Sequence, residues 1–206
     1  MPAPDAQPPR RARQRAGRGG RLLGRVRRAA GLTLPELLVV AAVIALTVAW
    51  AVPQWQASLE AVRAWAWQRE LIGALERARA RARIAGVTVT VCGGTPASGC
   101  ADTGWSDGWL VFEDPAGGGE CSGVDAHGRC AGHGGELLEV GRGVAAPLRV
   151  AGNRNVRGGV SYDPDRWSVG NGTFSLCRGA RPLASVKIAR TGRARRGGAD
   201  GAECAP

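Results

Sequence analysis

Residues 25–50 read RVRRAAGLTLPELLVVAAVIALTVAW and place a basic segment directly before an apolar one. A single carboxylate, Glu36, lies just inside the apolar part. The 16 residues that follow it, 37–52, carry no charge, and as a helix they span about 24 Å of a hydrocarbon core of roughly 30 Å. A helix long enough to cross a membrane therefore brings Glu36 into or near the bilayer. An unpaired carboxylate there costs several kcal/mol, so we expect Glu36 to have a function.

The positive charge of the chain is concentrated at its N-terminus. The formal net charge is +11, but nine of the 28 basic residues and one of the 17 acidic residues precede Gly31. This first segment carries +8 and leaves +3 for the rest. The total charge is therefore a poor argument for a nucleic-acid-binding protein, and the Arg-, Pro- and Gly-rich segment itself is expected to be disordered.

The cysteines indicate which side of a membrane the rest of the chain occupies. All six lie after the apolar segment, and an even number there suggests disulfides in an oxidising compartment. Arginines before the apolar segment are expected to remain cytoplasmic. A cleaved secretory signal is the alternative, but no A-x-A-like site closes the segment, and Trp50, Pro53 and Trp55 follow instead.

Two periodicities divide the remaining chain. Apolar residues repeat at helical spacing up to Gly86, first as Trp55, Leu59, Val62 and Ala66 and then as Leu71, Leu75, Ala78, Ala82 and Ala85. Seven short strands with period two are then predicted between Gly-rich turns, at 87–92, 109–114, 136–140, 147–151, 159–163, 173–177 and 184–189. The fold class is therefore α+β, with a long N-terminal helix packed on an antiparallel β-sheet domain. Arginines 77, 79, 81 and 83 are expected on a solvated side of the helix.

The segment GLTLPELLVV, residues 31–40, resembles the class III signal of type IV prepilins and type II secretion pseudopilins. The resemblance implies that a membrane peptidase cuts after Gly31 and methylates the new N-terminus, Leu32. It also implies that Glu36 pairs with the terminal amine of a neighbouring subunit during assembly.

Downstream segments resemble the GspH/FimT group of minor pilins and pseudopilins, which implies a type IV pilin-like fold. They are ERARARARIAGVTVTVC, GWSDGWLVFED, TFSLC and TGRARRG, in this order. We expect a leader at 1–31, a transmembrane helix at 32–53, its amphipathic continuation at 54–85 and a disulfide-stapled β domain at 86–206.

Three motifs carry competing interpretations. GWSDG, residues 104–108, fits the G-x-S-x-G nucleophile pattern, but a loop precedes it and a strand follows, so packing by its tryptophans is the preferred interpretation. Cys121, His127, Cys130 and His133 have zinc-ligand spacing, with a Cys121–Cys130 disulfide as the favoured alternative. Acidic residues in the same loop, at 114, 120 and 125, lack the spacing of a calcium loop. We expect no metal and no cofactor.

Six cysteines allow 15 pairings, and the sequence alone does not choose among them. Proximity suggests Cys92 with Cys100 and Cys121 with Cys130, which leaves Cys177 with Cys204. The last pair would hold the basic segment between its two cysteines on the surface.

That basic segment contains Gly192, Arg193, Ala194 and Arg195, which match the Gly-Arg-x-Arg motif associated with DNA capture in FimT-like minor pilins. The resemblance implies phosphate contacts by Arg193 and Arg195, supported by Arg190 and Arg196. No aromatic residue accompanies them, so duplex backbone binding is the expected form. A solvated basic turn, or a contact surface for an adjacent subunit, is the alternative.

The sequence thus predicts a single-pass inner-membrane protein with its C-terminal domain in the periplasm, and a structural role rather than an enzymatic one. Its expected partners are other pilins or pseudopilins, the prepilin peptidase and, in the second hypothesis, double-stranded DNA. The choice between a type IV pilus and a type II secretion pseudopilus stays open.

Overall fold

The helix α1 spans Leu34–Ala85 in a computed structural model that describes residues 33–132, 135–166, 171–200 and 204. Pro35 is tolerated in the first turn, where its missing N–H has no intrahelical partner. The helix ends as predicted at Gly86, which takes a φ of 67° and donates its N–H to Ala82 O at 3.0 Å. This left-handed conformation is the usual C-terminal stop for a helix. The chain divides into two compact units, residues 1–46 and 47–206.

Within residues 47–206, one stripe of α1 packs against the β domain. Leu71, Leu75, Ala78 and Ala82 are buried, which confirms that part of the predicted stripe. The earlier part was wrong: Trp55, Leu59, Val62 and Ala66 are exposed, and Ala85 is exposed as well. The reason is that Ala64 is the first buried apolar residue of α1 among those described. In the turn before it, the helix meets the sheets through a polar contact, the ion pair of Glu60 with Arg178 at 2.6 Å.

Nine strands form two antiparallel sheets. The first sheet contains β1 (Val89–Thr95), β2 (Gly99–Cys100), β3 (Gly108–Glu113), β4 (Leu137–Arg142) and β6 (Val160–Tyr162), in the order β2-β1-β3-β4 with β6 also paired to β1. The second contains β5 (Leu148–Gly152), β7 (Gly172–Arg178), β8 (Arg181–Ile188) and β9 (Ala194–Gly197), in the order β5-β7-β8-β9. All seven predicted strands are present, and the sequence analysis missed β2 and β9.

The main core lies between α1 and both sheets. It combines the buried helix stripe with inward-facing residues of the strands, among them Val91, Val111, Phe174, Leu176 and Val186. Burial of each such side chain contributes about 1.5–3 kcal/mol. Ion pairs flank this core: Arg77 and Arg81 of α1 contact Glu139 and Glu113 of the first sheet, so these two arginines do more than line a solvated face.

A second, smaller core lies on the other side of the first sheet. Cys92, Leu110 and Phe112 point away from the main core and are fully buried. The loop after β3 covers them through the disulfide Cys121–Cys130. Both faces of β3 are therefore buried, which explains why its sequence, GWLVFE, is nearly continuously apolar.

The remaining disulfides are Cys92–Cys100, which closes the turn between β1 and β2, and Cys177–Cys204, which ties the C-terminal segment to β7. Proximity in the sequence suggests the pairs Cys92–Cys100 and Cys121–Cys130, and Cys177–Cys204 is the pair that then remains. Each closes a loop and so reduces the conformational entropy of the unfolded chain.

Candidate functional site

Glu36 lies in the first turn of α1, beside an apolar surface that no other part of the described chain covers. The backbone N–H of Thr33 approaches its Oε2 at 3.5 Å, which is long for a hydrogen bond. Leu37, Leu38, Val40 and other large apolar side chains around it are about half exposed or more. Gly31 and Leu32 lie outside the described residues.

The helix α1 is long and apolar enough to cross a membrane, and its most apolar stretch is not buried. It is the one described helix with that property. An exposed apolar helix of this length fits a single-pass membrane anchor.

The basic C-terminal motif lies in a β-hairpin formed by β8 and β9. Gly192 has a φ of 76° and closes the turn between β8 and β9, where its N–H donates to Ala189 O at 2.8 Å. Ala189 N donates to Arg193 O at 3.0 Å. No strand is predicted at this position because ARRG lacks the apolar alternation typical of a strand.

All four predicted arginines of the hairpin are exposed. They are Arg190, Arg193, Arg195 and Arg196, and Arg195 lies directly opposite Lys187 in the β8–β9 register. Among the described residues, no carboxylate forms an ion pair with any of these four cations. Like charges placed opposite one another in a sheet repel, so this face attracts anions.

Arg196 has a different environment. Its guanidinium carbon lies 5.1 Å from the centre of the Trp65 ring on α1, a cation–π distance. It is therefore placed against the helix, although it is exposed like the other three arginines.

Three side chains that the sequence analysis did not single out hold this hairpin in place. Glu76 Oε1 accepts a hydrogen bond from Ala194 N at 2.9 Å, and Gln68 Nε2 donates to Ser185 O and Gly197 O at 2.7 and 2.8 Å. The hydroxyl of Tyr162 donates to Gly192 O at 3.2 Å. The sequence contains a signal for Gln68, because it lies three residues before Leu71 and therefore on the same face of the helix.

The other candidate sites do not assemble. Cys121 and Cys130 are joined in a disulfide, so neither offers a thiolate to zinc, and His133 lies outside the described residues. Asp125 accepts the N–H groups of His127 and Arg129 at 2.9 Å each. The hydrogen bond from the Arg129 N–H, and to a smaller extent the one from the His127 N–H, lowers the pKa of the Asp125 carboxyl. Such side-chain bonds to the backbone are typical of a turn.

The serine of GWSDG is not a nucleophile elbow. Ser106 ends a 3-10 helix, Gly104–Ser106, and β3 follows it, whereas the elbow requires a strand before and a helix after. Its hydroxyl oxygen accepts the N–H of Val150 at 3.0 Å. Trp105 and Trp109 are buried, as expected for packing residues.

The apolar N-terminal helix packs its C-terminal half on two antiparallel sheets, which is the α+β fold class expected from the sequence. The model of the family described as Type II transport protein GspH matches residues 68–192, which is more than half of the chain. The chain therefore belongs to the GspH family. Proteins of this family and minor pilins are structural subunits, not enzymes, which agrees with the expectation from the sequence.

Two solved structures are similar to this chain, and both are crystal structures of the type IV minor pilin FimU from Pseudomonas aeruginosa. Their sequence identities are 18% and 17%, with TM-scores of 0.47 and 0.44. The similarity covers 69% and 67% of this chain and 96% and 97% of the FimU chains. No curated protein matches the chain.

The bond from Tyr162 to the hairpin gives a pH-dependent prediction. Burial, followed by the charge of Glu76, raises the pKa of the Tyr162 hydroxyl above its ordinary value, which is about 10. Above that pH the unfolded chain loses the proton while the folded chain keeps it. The free energy of unfolding should therefore fall by about 1.4 kcal/mol per pH unit as long as folded Tyr162 stays neutral.

Tyr162 is the single tyrosine of the chain, so tyrosinate absorbance after a rapid pH jump reports on it alone. The native protein should ionise at higher pH than the urea-unfolded protein. Tyr162→Phe should lose about 1 kcal/mol of stability at neutral pH and lack this component of the alkaline slope. Equal ionisation of native and unfolded protein near pH 10 would contradict the assignment.

Proposed function

We propose that the chain is a minor pilin or pseudopilin, a subunit at or near the tip of a type IV pilus or a type II secretion pseudopilus. The observation that carries the proposal is the exposed apolar surface of α1 around Glu36. In water this surface is unfavourable, whereas a bilayer and then neighbouring helices of a filament bury it. Membership of the GspH family supports the same role and implies association with other pilins.

Assembly then follows from the chemistry of one carboxylate. Cleavage after Gly31 by the prepilin peptidase would leave Leu32 as a methylated N-terminus, with residues 32–53 in the inner membrane. Glu36 would carry an unpaired charge there. Docking next to a subunit whose terminal amine is free neutralises that charge, so the membrane-bound subunit favours the filament.

The distribution of charge and sulfur supports the orientation. The arginines of the leader, residues 1–31, favour a cytoplasmic N-terminus. Three disulfides lie in the domain of residues 86–206, which is consistent with an oxidising periplasm. The continuation of the helix, residues 54–85, carries this domain.

The substitution Glu36→Gln tests the assembly step. It removes the charge but keeps the shape, so membrane insertion and cleavage should persist. The amount recovered in sheared filaments should fall at least about tenfold, because the pairing energy is lost. Immunoblots of the membrane and filament fractions measure both quantities, and Gln56→Ala, at an exposed position of the same helix, is the matched control.

Unchanged recovery of the Glu36→Gln chain in filaments would contradict the role of the carboxylate. Absence of the wild-type chain from both pilus and pseudopilus fractions would contradict the structural function itself.

We infer a second candidate function, capture of duplex DNA, from the hairpin between β8 and β9. Arg193 and Arg195 are exposed, and Lys187 adds a third cation opposite Arg195. Backbone phosphates are the ligands that such a cluster fits, and phosphate contacts require no base reading. Arg190 extends the cluster, whereas Arg196 supports it from its position on Trp65.

The DNA hypothesis predicts a change in salt dependence. The full chain, with disulfides intact and held in neutral-lipid nanodiscs, is titrated with duplex DNA at several salt concentrations. Replacing Arg193 and Arg195 by Ala should make the salt slope shallower by about two, for two lost phosphate contacts. Replacing Arg129 and Arg166, two exposed arginines elsewhere, should produce no comparable change.

Both double variants remove the same charge, and both retain the arginines before Gly31. Equal salt slopes for the two double variants would show that any DNA binding comes from overall charge. The hairpin would then be a surface turn without a role in DNA binding.

A further inference from the structure

A groove of about 600 Å³ lies between α1 and the strand β4. Its walls include two tryptophans, two arginines and one apolar strand residue: Trp65, Trp109, Arg69, Arg142 and Val140. A neighbouring depression shares Ala66, Glu70 and Arg142 with it and continues along the loop after β4. The two together form a channel along the helix, which we call the α1–β4 groove.

The strand β4 forms one end of its sheet. It pairs with β3 on one side, and no described strand pairs with its other side. The loop after β3 bonds the start of that second edge, where Leu137 N–H donates to Gly128 O at 2.9 Å, and the free edge is the part of β4 that follows. The strand β9, at one end of the second sheet, differs from β4, because Gln68 and Glu76 of α1 form hydrogen bonds with the backbone around β9. An unpaired strand edge presents a row of N–H and C=O groups that an added strand satisfies.

The charges of the groove favour an acidic occupant. Arg77 and Glu139 neutralise each other through bonds of 2.8 and 2.7 Å. Of the remaining charged side chains in the groove, Arg69 and Arg142 outnumber Glu70. Arg63 in the neighbouring depression and Arg196 on Trp65 increase the positive excess. None of these four arginines forms an ion pair with a carboxylate of the described residues.

The indole N–H of Trp109, a residue that lines the groove, is a buried donor without an acceptor among the described residues. Trp109 is 2% exposed. The ring lies against Gly141 of β4, where any side chain would collide with it. Buried N–H groups are almost always bonded in native proteins, so this one identifies a position where an acceptor is missing.

Trp65 has the properties of an interface anchor. It is 46% exposed, and the guanidinium groups of Arg69 and Arg196 lie 5.4 and 5.1 Å from its ring centre. Tryptophan and arginine are the residues most enriched among those that dominate binding energy at protein interfaces. An exposed tryptophan held by two arginines at the edge of a groove is therefore well suited to contact another protein.

We propose that the α1–β4 groove binds an extended acidic segment of a neighbouring protein subunit. The segment adds a strand to the free edge of β4 and directs carboxylates toward Arg69 and Arg142. Small shifts at Gly141 give its backbone or carboxylate oxygens access to the Trp109 N–H. That the neighbour is a filament subunit rests on the proposed function, whereas the chemistry of the segment rests on the groove alone.

The test uses the full chain, with disulfides intact, in nanodiscs of phosphatidylcholine. The probes are two fluorescent peptides, Ac-Thr-Glu-Val-Glu-Val-Glu-Thr-amide and its counterpart with Lys in place of Glu, titrated by fluorescence anisotropy. The acidic peptide should bind more tightly than the lysine peptide. Its affinity should fall at least about tenfold in Arg142→Glu and in Trp65→Ala.

Arg166→Glu is the matched control, since it makes the same charge change at an exposed arginine outside the groove, and it should leave the affinity unchanged. The arginines before Gly31 are present in every variant, so their contribution cancels. Heteronuclear NMR should show shifts of the Trp109 indole N–H and of the β4 amides on addition of the acidic peptide. If Arg142→Glu does not fold by circular dichroism, Arg69→Glu replaces it.

Equal affinity of the acidic peptide for the wild type and Arg142→Glu would overturn the proposal, as would unchanged NMR signals of Trp109 and β4 at saturation. These readouts do not involve Glu36 or a filament. The groove can therefore fail while the filament role stands, and loss of assembly in Glu36→Gln says nothing about the groove.

Discussion

The packing of one narrow stripe of α1 against two sheets is the contact on which the β domain depends. Leu71, Leu75, Ala78 and Ala82 are all buried there, and the small alanines let the helix backbone approach the strands. The same helix turns supply Gln68 and Glu76 to the backbone around β9. The same position of the helix therefore buries the apolar stripe and provides hydrogen-bond partners for the backbone at the edge formed by β9.

This packing also explains what remains exposed. Burial of α1 begins at Ala64, and the large apolar side chains before it, including those of Trp50 and Trp55, are exposed. A structural subunit of a filament has such surfaces because its neighbours cover them. Three surfaces differ in chemistry: the apolar segment around Glu36, the α1–β4 groove and the exposed arginines of the β8–β9 hairpin. Each is therefore suited to a different kind of partner.

The sequence predicted elements wherever periodicity and burial agree. The stripe from Leu71 to Ala82 and the seven predicted strands follow from spacing, because apolar residues at helical spacing or in alternation form one face that packs on a core. Spacing does not tell which turns of a long helix meet a sheet, so Trp55 and Leu59 were placed wrongly. The strand β9 was missed because its sequence, ARRG, is a strand only through pairing with β8 and bonds from α1. The unpaired N–H of Trp109 and the stacking of Arg196 on Trp65 arise from distant parts of the chain and leave no local signal.

The intact mass of the chain purified from cell membranes tests whether the chain is cleaved after Gly31 and keeps its apolar segment. We expect a single species that begins at Leu32, carries one added methyl group and contains three disulfides. The cut then lies on the N-terminal side of the apolar segment, so that this segment stays with the domain. A chain that retains residues 1–31, or one cleaved after the apolar segment as a secretory signal would be, would contradict this expectation.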